Sequence, residues 1–220
     1  MKTNKIPVYF IPGMAAGKEI FEKISLPQDC YEVIVVEWLV PLKNESLANY
    51  AKRMTAFVDK PNAVLVGVSF GGVVAQEMSA FLKLQKLIII SSVKTKYEMP
   101  KRMHIVSALR LYKLLPVDFI ISTPDLTKFA VGPKSKKRLQ LYNTYLTMRN
   151  KYYLRWAVKQ MLSWDREKTV KGIKHIHGDK DVVFPLKNIK HSETIKGGTH
   201  VMILFKAEAV TRKLIEIINS

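Results

Sequence analysis

Short apolar runs alternate along the chain with segments whose apolar residues recur every three or four positions. Ile6–Ile11, Tyr31–Val36, Ala63–Val68 and Lys86–Ser91 are rich in Val and Ile and apolar on both alternating faces. That pattern predicts strands of a parallel sheet covered on both sides. Between them, Leu47–Val58 and Val73–Leu84 carry the three-to-four spacing of helices packed on one face. Strands alternating with helices predict βαβ units.

The rhythm then breaks. From Val93 to Trp164 no segment has a convincing strand pattern. Helical patterns appear near Lys101–Leu115, Ser135–Thr147 and Lys151–Ser163, punctuated by Pro116, Pro124 and Pro133. The alternation resumes with a strand at Ile173–His177, a weaker one at His191–Ile195 and a helix over Val201–Ile218. The expected plan is an α/β core formed by residues 1–92 and 165–220. Residues 93–164 form a helical insertion, too long for a bare loop.

Composition changes this picture in two places. At 220 residues, with 48% hydrophobic and 25% charged positions, the chain has ordinary globular composition and room for one large domain. A single cysteine, Cys30, excludes an internal disulfide and is expected to pack as a small hydrophobe. No targeting segment or bilayer-length apolar run is visible, so a cytoplasmic location is expected. The formal net charge is +18, and it is concentrated: seventeen basic and five acidic residues lie between Lys94 and Lys168. Such a field permits an anionic substrate or an anionic membrane surface as partner. The basic run 134–138 is read as a solvated helix start, and with no nucleic-acid-binding motif beside it no nucleic-acid partner is expected. Oligomeric state is not legible.

The strongest chemical signal is Gly67-Val68-Ser69-Phe70-Gly71-Gly72, placed between a strand and a helix. This is the context in which Gly-x-Ser-x-Gly makes a nucleophile elbow: glycines permit a sharp turn, and the serine stands at the carboxyl end of the sheet. The backbone N–H of Phe70 would then face a developing oxyanion. The loop Pro12-Gly13-Met14-Ala15-Ala16 after the first strand offers the N–H of Met14 as a second donor. That loop also looks like a phosphate-binding loop. Its glycines, Gly13 and Gly17, are one residue too close, and Glu19 stands where a magnesium-binding hydroxyl belongs.

A serine nucleophile needs a base, and the base an orienting acid. His200 lies between the last weak strand and the last helix, in Gly197-Gly198-Thr199-His200. The acid is Asp179 or Asp181, both in the loop His177-Gly178-Asp179-Lys180-Asp181. Asp181 is preferred, because Asp179 suits the tight first turn, where Asp accepts local backbone hydrogen bonds. His175 and His177 alternate along a strand and could share a face as metal ligands. No third ligand has suggestive spacing, so strand packing is the favoured account. His104 and His191 are expected at the surface.

In these segments the chain resembles the α/β-hydrolase fold family, and is similar to small bacterial-type members of it. The elbow, the Gly-x-x-Asp-x-x-x-Pro loop and the Gly-x-x-His segment stand in family order over about two-thirds of the chain. Two departures are visible. Pro12-Gly13 replaces the His-Gly of many members, and the chain starts at what would be the family's third strand, so a sheet of about six strands is expected. The insertion matches the family's variable cap by position alone, so no substrate class is implied. Together, residues and resemblance imply a serine hydrolase cleaving a carboxylic ester, thioester or related acyl substrate. Ser69, Asp181 and His200 would form its triad and Met14 and Phe70 its oxyanion hole, with no metal or organic cofactor. The alternatives are an acyltransferase or lyase on the same fold, or a non-enzymatic protein that binds through its basic surface.

Overall fold

A computed structural model describes residues 5–110 and 144–220. Six strands form one all-parallel sheet: β1 (Ile6–Ile11), β2 (Tyr31–Val35), β3 (Ala63–Val68), β4 (Leu84–Ile90), β5 (Lys174–Gly178) and β6 (Glu193–Ile195). Their spatial order is β2-β1-β3-β4-β5-β6. Among the described residues the α-helices are α1 (Leu47–Met54), α2 (Phe70–Met78), α3 (Lys101–Ala108), α4 (Lys151–Ser163), α5 (Met202–Phe205) and α6 (Ala207–Asn219).

Successive strand residues point to opposite faces, and the two faces bury different layers. Tyr9, Ile11 and Leu65 pack with α1, α2 and α4 through Tyr50, Val74 and Trp156. Val8, Phe10, Val64 and Val66 pack on the other side with α5 and α6 through Met202, Val210 and Leu214. Central strand β3 is buried at all six positions, which explains its unbroken apolar run. Helix α4 enters the first of these layers through Tyr153, Leu154, Trp156, Ala157 and Met161.

The strand order reverses between β1 and β3. The chain leaves β1 for β2 on one side and returns to pair β3 on the other. Crossovers to opposite sides open a crevice at the carboxyl ends of these two strands. The loop after β1 and the turn after β3 both lie there.

Several boundaries differ from the sequence reading. Helix α2 starts at Phe70, three residues before the expected start, and contains Gly71 and Gly72. Gly71 is required for closeness: a Cβ there would lie 2.2 Å from the carbonyl oxygen of Pro12. The last helical pattern is split at Lys206 into α5 and α6. The expected helix Ser135–Thr147 lies mostly outside the described residues, as does the end of Lys101–Leu115. Cys30 is exposed and does not pack as a core hydrophobe. Among the described residues no helix is long and apolar enough to cross a membrane.

Candidate active site

Ser69 joins β3 to α2 with φ 53° and ψ −119°, a conformation that costs a residue with a Cβ about 1–3 kcal/mol and persists only where neighbours enforce it. Here they do. The Ser69 N–H donates to Ile90 O at 2.9 Å, and its carbonyl accepts the Ser92 hydroxyl at 2.7 Å and the Gly72 N–H at 2.9 Å. Gly67 lets the turn close, since a Cβ there would lie 2.3 Å from Gly71 O. The Ser69 hydroxyl makes no helix-capping bond. It lies instead 3.0 Å from His200 Nε2.

His200 Nδ1 is 2.9 Å from Asp181 Oδ2. An ionised carboxylate only accepts, so the Nδ1 of His200 carries the proton and Nε2 presents its lone pair to Ser69. The Asp181 side chain is fully buried. Its other oxygen accepts the N–H groups of Val183 at 2.8 Å and Phe184 at 2.9 Å. Burial alone would push this carboxyl up. The charge and hydrogen bond of His200, the Phe184 N–H and the nearby His177 outweigh it, and the group sits below its usual range.

Asp179 sits in the tight turn expected of it, closed by the Asp181 N–H to Gly178 O at 3.2 Å, but its side chain reaches beyond that turn. Its Oδ1 accepts the Gly197 N–H at 2.7 Å, so it ties the β5 loop to the loop that carries His200. Lys180 N–H bonds Gly198 O at 2.8 Å across the same junction. Gly178 allows this approach, since a Cβ there would lie 2.2 Å from Gly198 O.

Below Asp181, His175 and His177 do share a face, and they bond each other. His177 Nε2 lies 2.8 Å from Phe184 O, which can only accept, so that nitrogen is the donor. His177 Nδ1 then accepts from His175 Nε2 at 3.1 Å. Burial lowers the pKa of both rings. Among the described residues no group of three His, Cys, Asp or Glu could hold a metal ion. His104 and His191 are exposed.

The loop after β1 runs alongside the elbow: a Cβ on Gly13 would touch Ser69 Cβ at 3.7 Å. Among the described residues the amides of Met14 and Phe70 donate to no protein acceptor. The loop is held from the far side by two backbone bonds, Met148 N–H to Ala15 O and Gly17 N–H to Tyr145 O.

Ser69 and His200 open into a cavity of about 310 Å³. Its walls are apolar: Met14, Ile20 and Leu204 from the core, and Met103, Leu146 and Met161 from the 93–164 segment. His200 and Tyr145 are the titratable side chains of this lining, and no Asp, Glu, Lys or Arg takes part among the described residues. Three of the basic residues between Lys94 and Lys168 have partners elsewhere. Lys94 is buried against Glu98 at 3.5 Å, Arg166 pairs Glu77 at 2.9 Å, and Arg102 donates to Val182 O and Val183 O. Lys113, Lys128, Lys134, Lys136, Lys137 and Arg138 lie outside the described residues.

Sequence reasoning missed Trp38, Ser92 and Phe184. Each acts by touching backbone or ring of a motif residue; Trp38 and Ser92 belong to no motif, and Phe184 fills a position that the Gly-x-x-Asp-x-x-x-Pro loop leaves open. The Phe184 ring sits edge-on against His200 at 5.4 Å, and the Trp38 indole reaches the carbonyl oxygen of Gly13.

No family model and no curated protein matches the chain by sequence. Many solved structures match its fold. An esterase from Exiguobacterium antarcticum superposes with TM-score 0.74 at 18% identity, over 100% of this chain and 94% of its own. A hydrolase from Oleispira antarctica gives TM-score 0.74 at 13% identity, over 99% and 92%. The enol-lactonase from Burkholderia xenovorans LB400 gives 0.69 at 10% identity, over 99% and 92%. The parallel sheet, its order and these neighbours define the class: the chain has the α/β-hydrolase fold.

Proposed function

We propose that the chain is a serine hydrolase that cleaves esters of neutral, apolar acyl groups through an acyl-enzyme on Ser69. One observation carries this reading: the hydrogen-bonded series Ser69–His200–Asp181 opens directly into an apolar cavity. Ser69 Oγ attacks the ester carbonyl while His200 Nε2 takes its proton. Asp181 holds the ring and stabilises the imidazolium. The N–H groups of Phe70 and Met14 receive the oxyanion. The C–O bond then breaks, and Nε2–H protonates the departing alkoxide. Water, deprotonated by the same nitrogen, releases the acid and restores the serine. The esterases among the structural neighbours support the reaction class, and the fold by itself does not decide it. The described parts of the 93–164 segment serve as cap, since Met103, Tyr145, Leu146 and Met161 complete the acyl pocket.

The lining sets the substrate class. A carboxylate carried on the acyl chain would be buried there without a partner, which costs several kcal/mol. Each methylene buried is worth about 0.8 kcal/mol. The test is a panel of acetate, hexanoate and monoanionic dicarboxylate esters of one alcohol, assayed on the wild type and Ser69→Ala. Expected are a higher kcat/KM for hexanoate than for acetate, at least about tenfold lower values for the anionic ester, and loss of all three with Ser69→Ala. Preference for the anionic ester would overturn the substrate class. Acyl transfer to an added alcohol in place of hydrolysis would mark the enzyme as a transferase.

A further inference from the structure

Trp38 lies half-buried in the loop between β2 and α1. Its indole N–H donates to Gly13 O at 3.1 Å. That oxygen belongs to the Gly13–Met14 peptide, the unit whose N–H is that of Met14. A trans peptide is planar, and its C=O and N–H point in opposite directions, so a grip on the oxygen sets the direction of the hydrogen. The Ala16 N–H bonds the same oxygen at 3.0 Å. Two donors on the oxygen polarise the peptide and strengthen its N–H as a donor in turn.

The indole ring makes a second connection. It stacks on Phe70 with centroids 5.7 Å apart and planes 30° apart. One side chain therefore touches the peptide that carries the Met14 N–H and the ring of Phe70, the two residues whose amides are proposed to receive the oxyanion. Trp38 is itself braced. The Tyr50 hydroxyl donates to Leu39 O at 2.9 Å and accepts the Leu39 N–H at 3.1 Å, and the Tyr153 ring packs 5.5 Å from the indole. Apolar packing alone would be met by Phe or Leu at this position. The N–H is what distinguishes Trp, and it goes to Gly13.

We propose that Trp38 is a positioning residue of the oxyanion hole: its indole N–H aims the Met14 amide, and its ring seats Phe70. The proposal rests on the reading of Ser69 as nucleophile. An interaction that matters only once the oxyanion forms lowers kcat and leaves ground-state binding alone.

The experiment compares wild type, Trp38→Phe and Ser69→Ala on a neutral hexanoate ester. It also measures affinity for a trifluoromethyl ketone, which adds the serine to form an oxyanion, and for the matching methyl ketone, which is not attacked. Trp38→Phe is expected to lower kcat about tenfold, the worth of one hydrogen bond, with KM unchanged. The trifluoromethyl ketone should weaken by the same factor and the methyl ketone should not. Benzothienylalanine at position 38 keeps the ring size and removes only the N–H. It should reproduce the loss, and it serves if Trp38→Phe folds poorly. Equal weakening of both ketones, or a raised KM with unchanged kcat, would make Trp38 a packing residue and overturn the proposal. Full activity in the position-38 variants with an inactive Ser69→Ala would sink this proposal alone. Activity retained by Ser69→Ala would sink the hydrolase reading beneath it.

Discussion

Two aspartates two positions apart do different jobs, and the atoms on their oxygens say which. Asp181 accepts His200 Nδ1–H on one oxygen and two amides on the other. Replacing it by Asn puts an N–H where an acceptor is needed. The amide then favours the wrong tautomer of His200 or turns away. Asp181→Asn is expected to lower kcat by about 10⁴-fold, as removal of the acceptor does in other triads. Asp179 accepts one amide, that of Gly197, and an Asn carbonyl oxygen can do the same. Asp179→Asn is expected to change kcat by less than about tenfold. Steady-state kinetics on both variants checks the ranking, and the reverse order would contradict the roles assigned.

At the scale of elements, the glycines around the elbow separate closeness from mere permissiveness. A Cβ on Gly71 would stand 2.2 Å from Pro12 O and 2.5 Å from Ile11 O, both backbone, so β1 and α2 would have to part. A Cβ on Gly13 would make only ordinary contact with Ser69 Cβ at 3.7 Å. Gly71→Ala is therefore expected to cost about 3 kcal/mol or more and Gly13→Ala about 1 kcal/mol or less, read by denaturant unfolding. Equal costs would contradict the close approach. The same region shows what was legible in the sequence. Strands β1 and β3 carry their boundaries in plain sight, because residues buried on both faces leave an unbroken apolar run. The start of α2 was hidden, because Gly71 and Gly72 are poor helix formers and stand there for space. Of the site, Ser69, His200 and Asp181 could be singled out because a motif surrounds each, and the structure brings the three into one hydrogen-bonded series. Trp38 and Ser92 carry no such mark: their contacts are with backbone atoms 25 and 23 residues away, and no local pattern encodes that.

At the scale of the whole molecule, the buried histidines under the site predict a pH-dependent stability. Burial lowers the pKa of His175 well below 6.5 and lowers that of His177, with Lys94 acting against protonation of the first and Asp181 and Glu98 favouring it in the second. The unfolded chain therefore binds more protons than the folded one below about pH 6.5, and stability rises with pH there. Thermal melting is expected to hold steady above pH 6.5 and to fall as pH drops below it, with a shallower fall in His175→Phe. Identical slopes for the two proteins would contradict the burial argument. The high net charge, read from the sequence as an invitation to an anionic partner, gains no support from the lining of the cavity, which is apolar. Charge counts along a chain do not say which side chains are spent on carbonyls and ion pairs, as Arg102 and Arg166 are. The central claim is that Ser69 is the nucleophile. Its most direct measurement is treatment of the native protein with a fluorophosphonate, followed by peptide mass spectrometry. A single phosphonyl adduct on Ser69, absent from Ser69→Ala and slowed by Asp181→Asn, is the expected result. An adduct on another serine, or none on a protein that still cleaves the hexanoate ester, would contradict it.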